Sequence, residues 1–491
     1  MQRKPTFTFH IIILSIAGVF NSCVQHIPSD SIRSGQADIF PDYSNITIPA
    51  NISPLNFIIN EKADKYIVKF HSEDNHGFIV ESINGTITIP VKNWKKILSA
   101  CKRRKLLIDI FYRQNGQWKN YDPIINHIAP DSIDSYLVYR LIEPGYETWN
   151  KMGIYQRCLE SFDENPVIIN ELSDGNCINC HSFCRNSSET MLFHARAKHG
   201  GTILVRNGTV KKVNTKTDST ISAGVYPSWH PDGRYLAFSV NHIVQSFHAL
   251  PNKQIEVIDT LSDLILYDAE NNRVLKKSTI ASPDSYETFP SWSPDGCYLY
   301  FCSAKYHPYK DYKQIRYDLL RIPFDAKTEK FGDIDTVISA SKDGFSISFP
   351  RVSPDGKYLL YCRTDYGGFT IWHDDSDLNM LNLNSGAIEV PDINSNRSES
   401  YHTWSSNGRW VVFSSRRLDG LYTRLFITYF DDSGKFHKPF ILPQRDPARN
   451  HFLLKSYNIP ELVTSKIRID PRKFAKMIKS DASNATFKKA E

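Results

Sequence analysis

Four segments decide the fold: YPSWHPDGRYLAFSV at residues 226–240, FPSWSPDGCYLYFCS at 289–303, FPRVSPDGKYLLYCR at 349–363 and YHTWSSNGRWVVFSS at 401–415. In each, Pro-Asp-Gly or Ser-Asn-Gly predicts a tight turn, because glycine supplies a positive φ and the preceding Asp or Asn caps the turn. The turn joins a short strand to an alternating one, and a strand–turn–strand pattern follows. Each unit therefore predicts a sheet of four strands.

The spacing of these units predicts that the sheets form a ring. The turn residues recur at intervals of 63, 60 and 52 residues, at Asp232, Asp295, Asp355 and Asn407. Repeats of this length are typical of solenoids, arrays and propellers. Weaker copies at 181–196 and 127–142 bring the number of candidate sheets to six. We therefore predict an all-β chain with a six-bladed β-propeller, whose closed ring leaves few open sheet edges.

The Pro-Ser-Trp-x-Pro-Asp-Gly-x-Tyr-Leu repeats resemble the TolB-like propeller family, firmly over residues 226–460 and more loosely before them. Together with CINCHSF at 177–183, they also resemble a group of exported bacterial lipoproteins that carry such a propeller and are often labelled cytochrome-related. The resemblance implies a six-bladed propeller that binds or scaffolds, although related propellers sit on peptidases. Fold alone does not give function.

The chain begins with the features of an export signal. Arg3 and Lys4 precede an apolar run at residues 11–20, which is too short to span a bilayer. The placement of Cys23 after this run resembles the lipobox of a bacterial lipoprotein, whose cysteine is acylated; an ordinary cleaved signal peptide is the alternative. We expect a membrane-anchored protein in the periplasm or on the cell surface of a Gram-negative bacterium, where disulfides and c-type haem form.

Composition divides the rest of the chain. After a signal peptide at 1–23, we expect a tether at 24–40, a small β-rich domain at 41–118 and the propeller at 119–460. Residues 461–491 are predicted to be a tail with one basic helix and a disordered polar end. The net charge of +6 is spread over the whole length of the chain with no basic run of note, and this distribution argues against a nucleic-acid partner.

A Cys-Ile-Asn-Cys-His sequence that ends at His181 has the spacing that attaches a c-type haem. In that interpretation Cys177 and Cys180 form thioethers and His181 binds the iron. The distal iron ligand would then be Met191, His194, His199 or His402. Two alternatives remain open: the cysteines form a disulfide or stay as thiols, or they bind zinc with Cys184 and His194.

The position of this motif in the repeat predicts where it lies. Its His-Ser-Phe aligns with the Pro-Ser-Trp of the other units, which places the cysteines on a loop that leads into an innermost strand. Such loops surround the mouth of the central channel, where propellers bind ligands. The same mouth is predicted to hold Tyr226, Glu287, Arg351, Glu399 and His402. The aromatic residues Phe289, Phe349 and Tyr401 are expected on that rim as well.

Three functions are compatible with these features. The first is a lipid-anchored binding or scaffold protein whose mouth holds a peptide, a glycan or a partner protein of the cell envelope. The second is an electron-transfer protein with one covalent haem c at that mouth. The third is a propeller hydrolase or lyase that uses His402, Arg351 and Glu399. No Gly-x-Ser-x-Gly sequence is present, and we assign no catalytic residue.

Overall fold

The computed structural model describes residues 27–28, 30–143, 151–248 and 255–490. Within these ranges, no helix has both the length and the apolar character needed to cross a bilayer. The predicted signal peptide, including Cys23, lies outside the described residues. The strands divide between an N-terminal unit and six further sheets.

The N-terminal unit combines a seven-stranded sheet, a three-stranded sheet and one helix. The larger sheet contains Ile32–Arg33, Thr47–Ile48, Lys65–Ser72, Gly77–Ser82, Lys105–Gln114, Gln117–Asn120 and Ile124–Ile128. The smaller sheet contains Ile39–Phe40, Phe57–Ile59 and Thr86–Ile87. The helix, Val91–Ala100, buries Trp94, Ile97 and Leu98, which share one helix face by their spacing.

The six further sheets are numbered here as blades 1 to 6, and each is given from its inner strand outwards. Blade 1 consists of Ser456–Val463, Tyr136–Ile142, Gly153–Cys158 and Glu164–Ile169. Blade 2 consists of Ile178–Phe183, Thr190–Ala195, Gly201–Arg206 and Thr209–Asn214. Blade 3 consists of Val225–Trp229, Tyr235–Phe247, Ile255–Asp268 and Arg273–Lys276.

The other three blades follow the same order along the chain. Blade 4 consists of Ser285–Trp292, Tyr298–Lys305, Asp318–Asp325 and the short strands Lys330–Phe331 and Asp335–Ile338. Blade 5 consists of Ser346–Val352, Tyr358–Thr364, Asp377–Asn382 and Ile388–Glu389. Blade 6 consists of Glu399–Trp404, Trp410–Ser415, Arg424–Tyr429 and Phe440–Ile441. Two helices, Arg449–Phe452 and Pro471–Lys479, come after blade 6.

The repeated turn fixes the inner hairpin of each strong repeat. In blade 4, the Ser293 hydroxyl donates to the Asp295 carboxylate at 2.5 Å and accepts a hydrogen bond from the Tyr298 amide at 2.9 Å. Gly296 has a φ of 77°, which a residue with a Cβ adopts at a cost. Blades 5 and 6 repeat this arrangement around their own turns. The turn chemistry predicted from the sequence therefore forms as predicted.

The ring closes through the two ends of the propeller chain. Ser456–Val463 pairs antiparallel with Tyr136–Ile142, and Leu462 lies opposite Leu137. Each inner strand contacts the inner strand of the next blade, and blade 6 contacts blade 1 in the same way. A closed ring of such sheets is a β-propeller. The all-β propeller class predicted from the repeats is thus confirmed.

The origin of the blade 1 inner strand differs from the sequence expectation. The weak repeat at 127–142 predicts that the chain just before Tyr136 supplies this strand. Instead, Ile124–Ile128 pairs with Lys105–Gln114 in the N-terminal sheet, and Ser456–Val463 takes the inner place. Closure by a strand from the other end of the chain leaves blade 1 without an unpaired inner edge, which is the physical reason for the exchange.

The polar C-terminal end is also ordered, in contrast to the predicted disorder. Helix Pro471–Lys479 packs between blades 1 and 2: it contacts the outer strand Glu164–Ile169 of blade 1, and its Phe474 lies with its ring centroid 5.2 Å from that of Phe193 in blade 2. Ser483–Asn484 then pairs in parallel with the outer strand of blade 2, and Thr486–Lys489 pairs with that of blade 3. These two sheet edges give the polar residues main-chain hydrogen-bond partners that composition alone does not reveal.

Removal of residues 456–491 is expected to prevent folding, because blade 1 loses its inner strand and the ring stays open. Removal of residues 482–491 alone deletes only outer edge strands and should lower the melting temperature by no more than about 5 °C. Thermal melting followed by circular dichroism measures both effects. A cooperative transition near the wild-type temperature in the longer truncation would contradict the assigned closure.

Candidate functional site

Each inner strand contains one residue in the left-handed region of backbone space. These residues share φ values between 47° and 52° and stand at the same break in strand pairing: Cys180, Tyr226, Phe289, Phe349, Tyr401 and Ile459. A side chain makes this conformation costly, so it persists only where the surrounding structure enforces it. We name these six residues the axial plug, because the bulge directs them towards the axis of the ring.

The axial plug closes the central channel with aromatic rings. Ring centroids lie 4.2 Å apart for Phe289 and Phe349, 4.8 Å for Tyr226 and Phe289, and 5.0 Å for Phe349 and Tyr401. Phe289 and Phe349 are buried in the plug, in contrast to the sequence expectation that they stand on the open rim of the mouth. The plug therefore divides the channel into two spaces, one on each side.

The space on one side of the plug is a hub cavity of about 30 Å³. This volume suits about one water molecule. Its walls include His181, Arg351, His402, Thr403 and Glu461, which all follow the plug residues along the inner strands. Burial raises the pKa of Glu461 to about 7, while the nearby Arg351 acts in the opposite direction. Both charged groups thus face a space that is too small for an organic ligand.

The space on the other side is a mouth cavity of about 720 Å³, bordered by residues that precede the plug along the inner strands. Strands Tyr235–Phe247 and Ile255–Asp268 are longer than the other blade strands and form part of one wall. Four plug residues line both cavities and so separate them: Cys180, Tyr226, Tyr401 and Ile459. The volume lies in the range of ~300–1,000 Å³ that is usual for ligand pockets.

Basic side chains outnumber acidic ones in the mouth cavity. The basic set is Arg140, Lys151, Arg196, Lys216 and Arg416, and the acidic one is Glu143. Within the described part of the chain, neither Arg140 nor Arg196 has a carboxylate at ion-pair distance. Arg140 donates to the Asn458 side-chain oxygen at 3.0 Å. Because a partly buried guanidinium without a counterion is costly, these two groups favour an anionic ligand.

Aromatic and aliphatic side chains line part of the mouth cavity, beside neutral polar groups such as Asn241 and Gln245. Tyr226, Tyr401 and Trp372 face the space, together with Phe247. The Arg416 guanidinium carbon lies 3.2 Å from the centroid of the Trp372 ring and contacts its face. The cavity therefore suits a ligand that carries both an anionic group and an apolar surface.

The two cysteines of the motif line the mouth cavity, and both are buried. Burial raises the pKa of Cys177, whereas Arg140 and Arg196 act in the opposite direction. No cysteine in the described ranges takes part in a disulfide, so Cys177 and Cys180 are thiols in this structure. The two sulfur atoms form a weakly polar part of the wall.

His181 does not join these thiols in the mouth cavity. Its imidazole is 2% exposed and lines the hub cavity on the other side of the plug. Neither ring nitrogen makes a hydrogen bond of good geometry, although main-chain groups of Val138 and Ile459 lie close enough to raise the pKa slightly. Burial dominates and lowers the pKa of His181 to about 3. Cys177 and the imidazole thus face different spaces, Cys180 borders both, and the three groups are not placed to hold one covalently attached haem.

The other predicted metal ligands are also dispersed. Cys184 contacts the His230 carbonyl oxygen at 3.6 Å, away from the mouth cavity. His194 lines that cavity with one ring nitrogen bonded to the Thr202 hydroxyl at 2.9 Å and the other without a partner. His199 pairs with Asp174 at 3.1 Å. Across the residues that the structure describes, no three His, Cys, Asp or Glu side chains are grouped to hold a metal ion.

Two predicted channel-mouth residues, Glu287 and Glu399, lie on inner strands but are not among the described residues that line either cavity. Glu399 is fully buried and forms an ion pair with Arg417 at 3.0 Å. His402 lines the hub cavity with Arg351, and its ring nitrogen pairs with the Leu360 carbonyl oxygen at 2.9 Å. The trio Arg351, Glu399 and His402 therefore does not share an open cavity.

Sequence reasoning missed Arg140 and Arg196, the most distinctive charges of the mouth cavity. A weak signal was present, because Arg140 interrupts the apolar strand YLVYRLI at 136–142 and Arg196 directly follows the strand Thr190–Ala195. A charge in or beside an apolar strand has to face solvent or a polar cavity. Which of the two applies depends on the ring, and the local sequence does not encode that choice.

Comparison with known proteins finds distant similarities. No family model and no curated protein matches the chain. Among solved structures, the tricorn protease is 10% identical with a TM-score of 0.36, and the match covers 70% of this chain and 33% of the tricorn protease chain. Prolyl oligopeptidase B from Galerina marginata, bound to a 25mer macrocyclization substrate, is 10% identical with a TM-score of 0.36, over 80% and 54%. An ancestral GH74 enzyme is 10% identical with a TM-score of 0.31, over 84% and 55%.

The chain spans between 33% and 54% of the first three solved chains that it matches. Similarities of this size support no statement about activity. The propeller assignment therefore rests on the strand pairing and the closed ring of inner strands.

A Glu287→Gln substitution is expected to stabilise the protein at alkaline pH. Burial raises the pKa of Glu287 to about 7, so the folded state keeps a proton that the unfolded state releases near pH 4.5. Wild-type stability should therefore fall as the pH rises from about 4.5 to 7, and the variant should lack that decline. At pH 8 the expected gain is about 1–3 kcal/mol, measured by urea unfolding at pH 5 to 8.

Glu399→Gln is the matched control, because it removes the same charge from an inner-strand glutamate that has a cationic partner. It leaves the partly buried Arg417 unpaired and should destabilise the fold by about 3 kcal/mol throughout this pH range. Equal destabilisation by both variants at pH 8 would show that Glu287 is not held in an unfavourable charged state.

Proposed function

We propose that this chain is an exported, lipid-anchored propeller of the TolB-like type that binds a carboxylate-bearing ligand in its mouth cavity. The supporting observation is the pair of guanidiniums, Arg140 and Arg196, that face this cavity without a carboxylate partner in the described ranges. Peptide C-termini and acidic sugars both carry a carboxylate. They belong to the peptide and glycan classes that the sequence already favours.

The two arginines suit a carboxylate for geometric reasons. A planar guanidinium donates two parallel N–H bonds that match the two oxygens of a carboxylate. The bond from Arg140 to Asn458 orients this side chain before any ligand arrives, which lowers the entropy that binding has to remove. Because the cavity is partly shielded from water, the attraction exceeds that of a similar pair on an open surface.

The apolar walls would contact the rest of the same ligand. Tyr226 and Tyr401 form the floor, since they belong to the axial plug, and Trp372 stands on the wall. Aromatic rings bury a large area and pack well against apolar side chains or the faces of sugar rings. Affinity would thus depend on the rings, whereas the preference for an acidic ligand would depend on the arginines.

Arg196→Gln should weaken the binding of a carboxylate ligand by about tenfold or more, because a hydrogen bond to a charged group contributes about 1.5–3 kcal/mol. Two ligand series serve as probes in titration calorimetry: peptides with a free or an amidated C-terminus, and oligosaccharides with or without a uronic acid. Only carboxylate-bearing members should bind tightly, and added salt should weaken their binding. The series that binds identifies the source of the carboxylate.

Arg206→Gln is the matched control on the same blade. Arg206 lies outside the mouth cavity and pairs with Glu270 at 3.5 Å, so its loss should change affinity by less than about twofold. An equal loss of affinity in both variants, or no preference for the acidic member of either series, would refute the proposal.

The lipid anchor is proposed from the sequence of residues 1–23, which lie outside the described residues. Cys23→Ser should shift the protein from the membrane fraction to the soluble fraction and abolish the incorporation of labelled palmitate. Fractionation and metabolic labelling in a Gram-negative host measure both. Cys101→Ser removes a buried thiol of the N-terminal unit and should leave the protein in the membrane fraction. Continued palmitate labelling of the Cys23→Ser variant would disprove the anchor.

A further inference from the structure

We infer that the Cys-x-x-Cys-His sequence of this chain is not a haem-attachment site: His181 fills a structural position that proline fills in four other blades, and the two thiols belong to the ligand-cavity wall. This inference stands independently of whether the mouth cavity takes a carboxylate.

The position of His181 follows from the repeated bulge. In every inner strand, the residue after the plug residue occupies the same place in the pairing break, and the six are His181, Pro227, Pro290, Pro350, His402 and Pro460. The break lies between Asn179 and Ser182 in blade 2, as it lies between Thr288 and Ser291 in blade 4. An amide at this place has no ladder partner, so proline is accepted there without loss of a hydrogen bond.

The two histidines at this place occupy equivalent buried positions, although only His402 makes a ring hydrogen bond of good geometry. His402 pairs through a ring nitrogen with the Leu360 carbonyl oxygen on the second strand of the preceding blade, at 2.9 Å. Cross-strand pairing identifies the residue that takes the place of Leu360 beside His181. Leu360 lies opposite Arg351 and Val138 lies opposite Glu461, and Arg351 and Glu461 each come two residues after a plug residue. Val138 is therefore the equivalent of Leu360. Burial between neighbouring blades lowers the pKa of each imidazole to about 3. Both rings are therefore neutral and act as interior packing groups.

The arrangement of the cavities contradicts the geometry of a c-type haem site. Such a haem needs the imidazole on the iron while both cysteines are bonded to the edge of the same macrocycle. Cys177 lines only the mouth cavity, and His181 lines only the hub cavity. The plug residues Tyr226 and Tyr401 lie between these spaces, and the hub cavity has room for about one water.

The full chain, produced in a bacterium that also expresses haem-attachment machinery, provides the direct test. We expect purified protein without a Soret absorption band, without a haem-stained band on a denaturing gel and with an intact mass that matches the processed polypeptide with its lipid. Any haem that stays bound after denaturation would overturn the inference.

His181→Pro tests the structural role separately from haem. Because four blades already place proline after a left-handed plug residue, this variant should fold and keep its melting temperature within about 3 °C of the wild type. Phe183→Pro is the control in the same strand, since it removes a buried ring and the main-chain hydrogen bond to Glu461, and it should abolish cooperative melting. If His181→Pro were as disruptive as Phe183→Pro, the equivalence with proline would be wrong.

Discussion

The crowding of six inner strands around one axis is the constraint on which the rest of this molecule depends. Each inner strand accommodates this crowding through a bulge, at which one residue adopts a positive φ between 47° and 52°. The same bulge sends that residue to the axis and leaves the next amide outside the ladder. A local backbone conformation thus accounts for the plug, for the two separate cavities and for the recurrent proline that follows the plug residue.

Closure of the ring makes this crowding obligatory. Without the pairing of Ser456–Val463 with Tyr136–Ile142, blade 1 would expose an edge and the inner strands could spread apart. The two strands lie at opposite ends of the propeller, so their contact has a high entropic cost of loop closure. The buried aromatic plug and the interfaces between blades offset that cost together. The C-terminal strands on blades 2 and 3 extend outer edges and contribute nothing to the axis.

Much of the fold was predictable because turn chemistry is local. The Asp-Gly and Asn-Gly turns of blades 3 to 6 specify their own hairpins, and alternation specifies the strands. The inner strand of blade 1 was not predictable in this way. The strand that precedes Tyr136–Ile142 in the sequence, Ile124–Ile128, has an equally suitable pattern but belongs to another sheet. The prediction of a disordered C-terminal end was wrong for a similar reason, because the polar strand Thr486–Lys489 gains its stability from the sheet edge with which it pairs.

The candidate site illustrates a different limit. The alignment of His-Ser-Phe with Pro-Ser-Trp already placed His181 on a proline position, but the spacing of the cysteines suggested iron chemistry. Only the three-dimensional arrangement shows that an inner strand presents successive residues to different spaces. The guanidiniums of Arg140 and Arg196 come from separate blades, and a sequence pattern confined to one strand does not bring them together.

The place where the repeat changes is also the place where the cavity forms. Four plug residues are aromatic, whereas blades 1 and 2 contribute Ile459 and Cys180, which are smaller. Smaller side chains at the axis leave space beside these two blades, and the mouth cavity extends there towards Arg140. A regular plug of six aromatic rings would fill that space and leave the arginine buried without water or ligand, at a high desolvation cost. The small residues of the plug and the nearby guanidiniums, which have no carboxylate partner among the described residues, are therefore two parts of one arrangement, in which volume that larger plug residues would fill belongs to the mouth cavity.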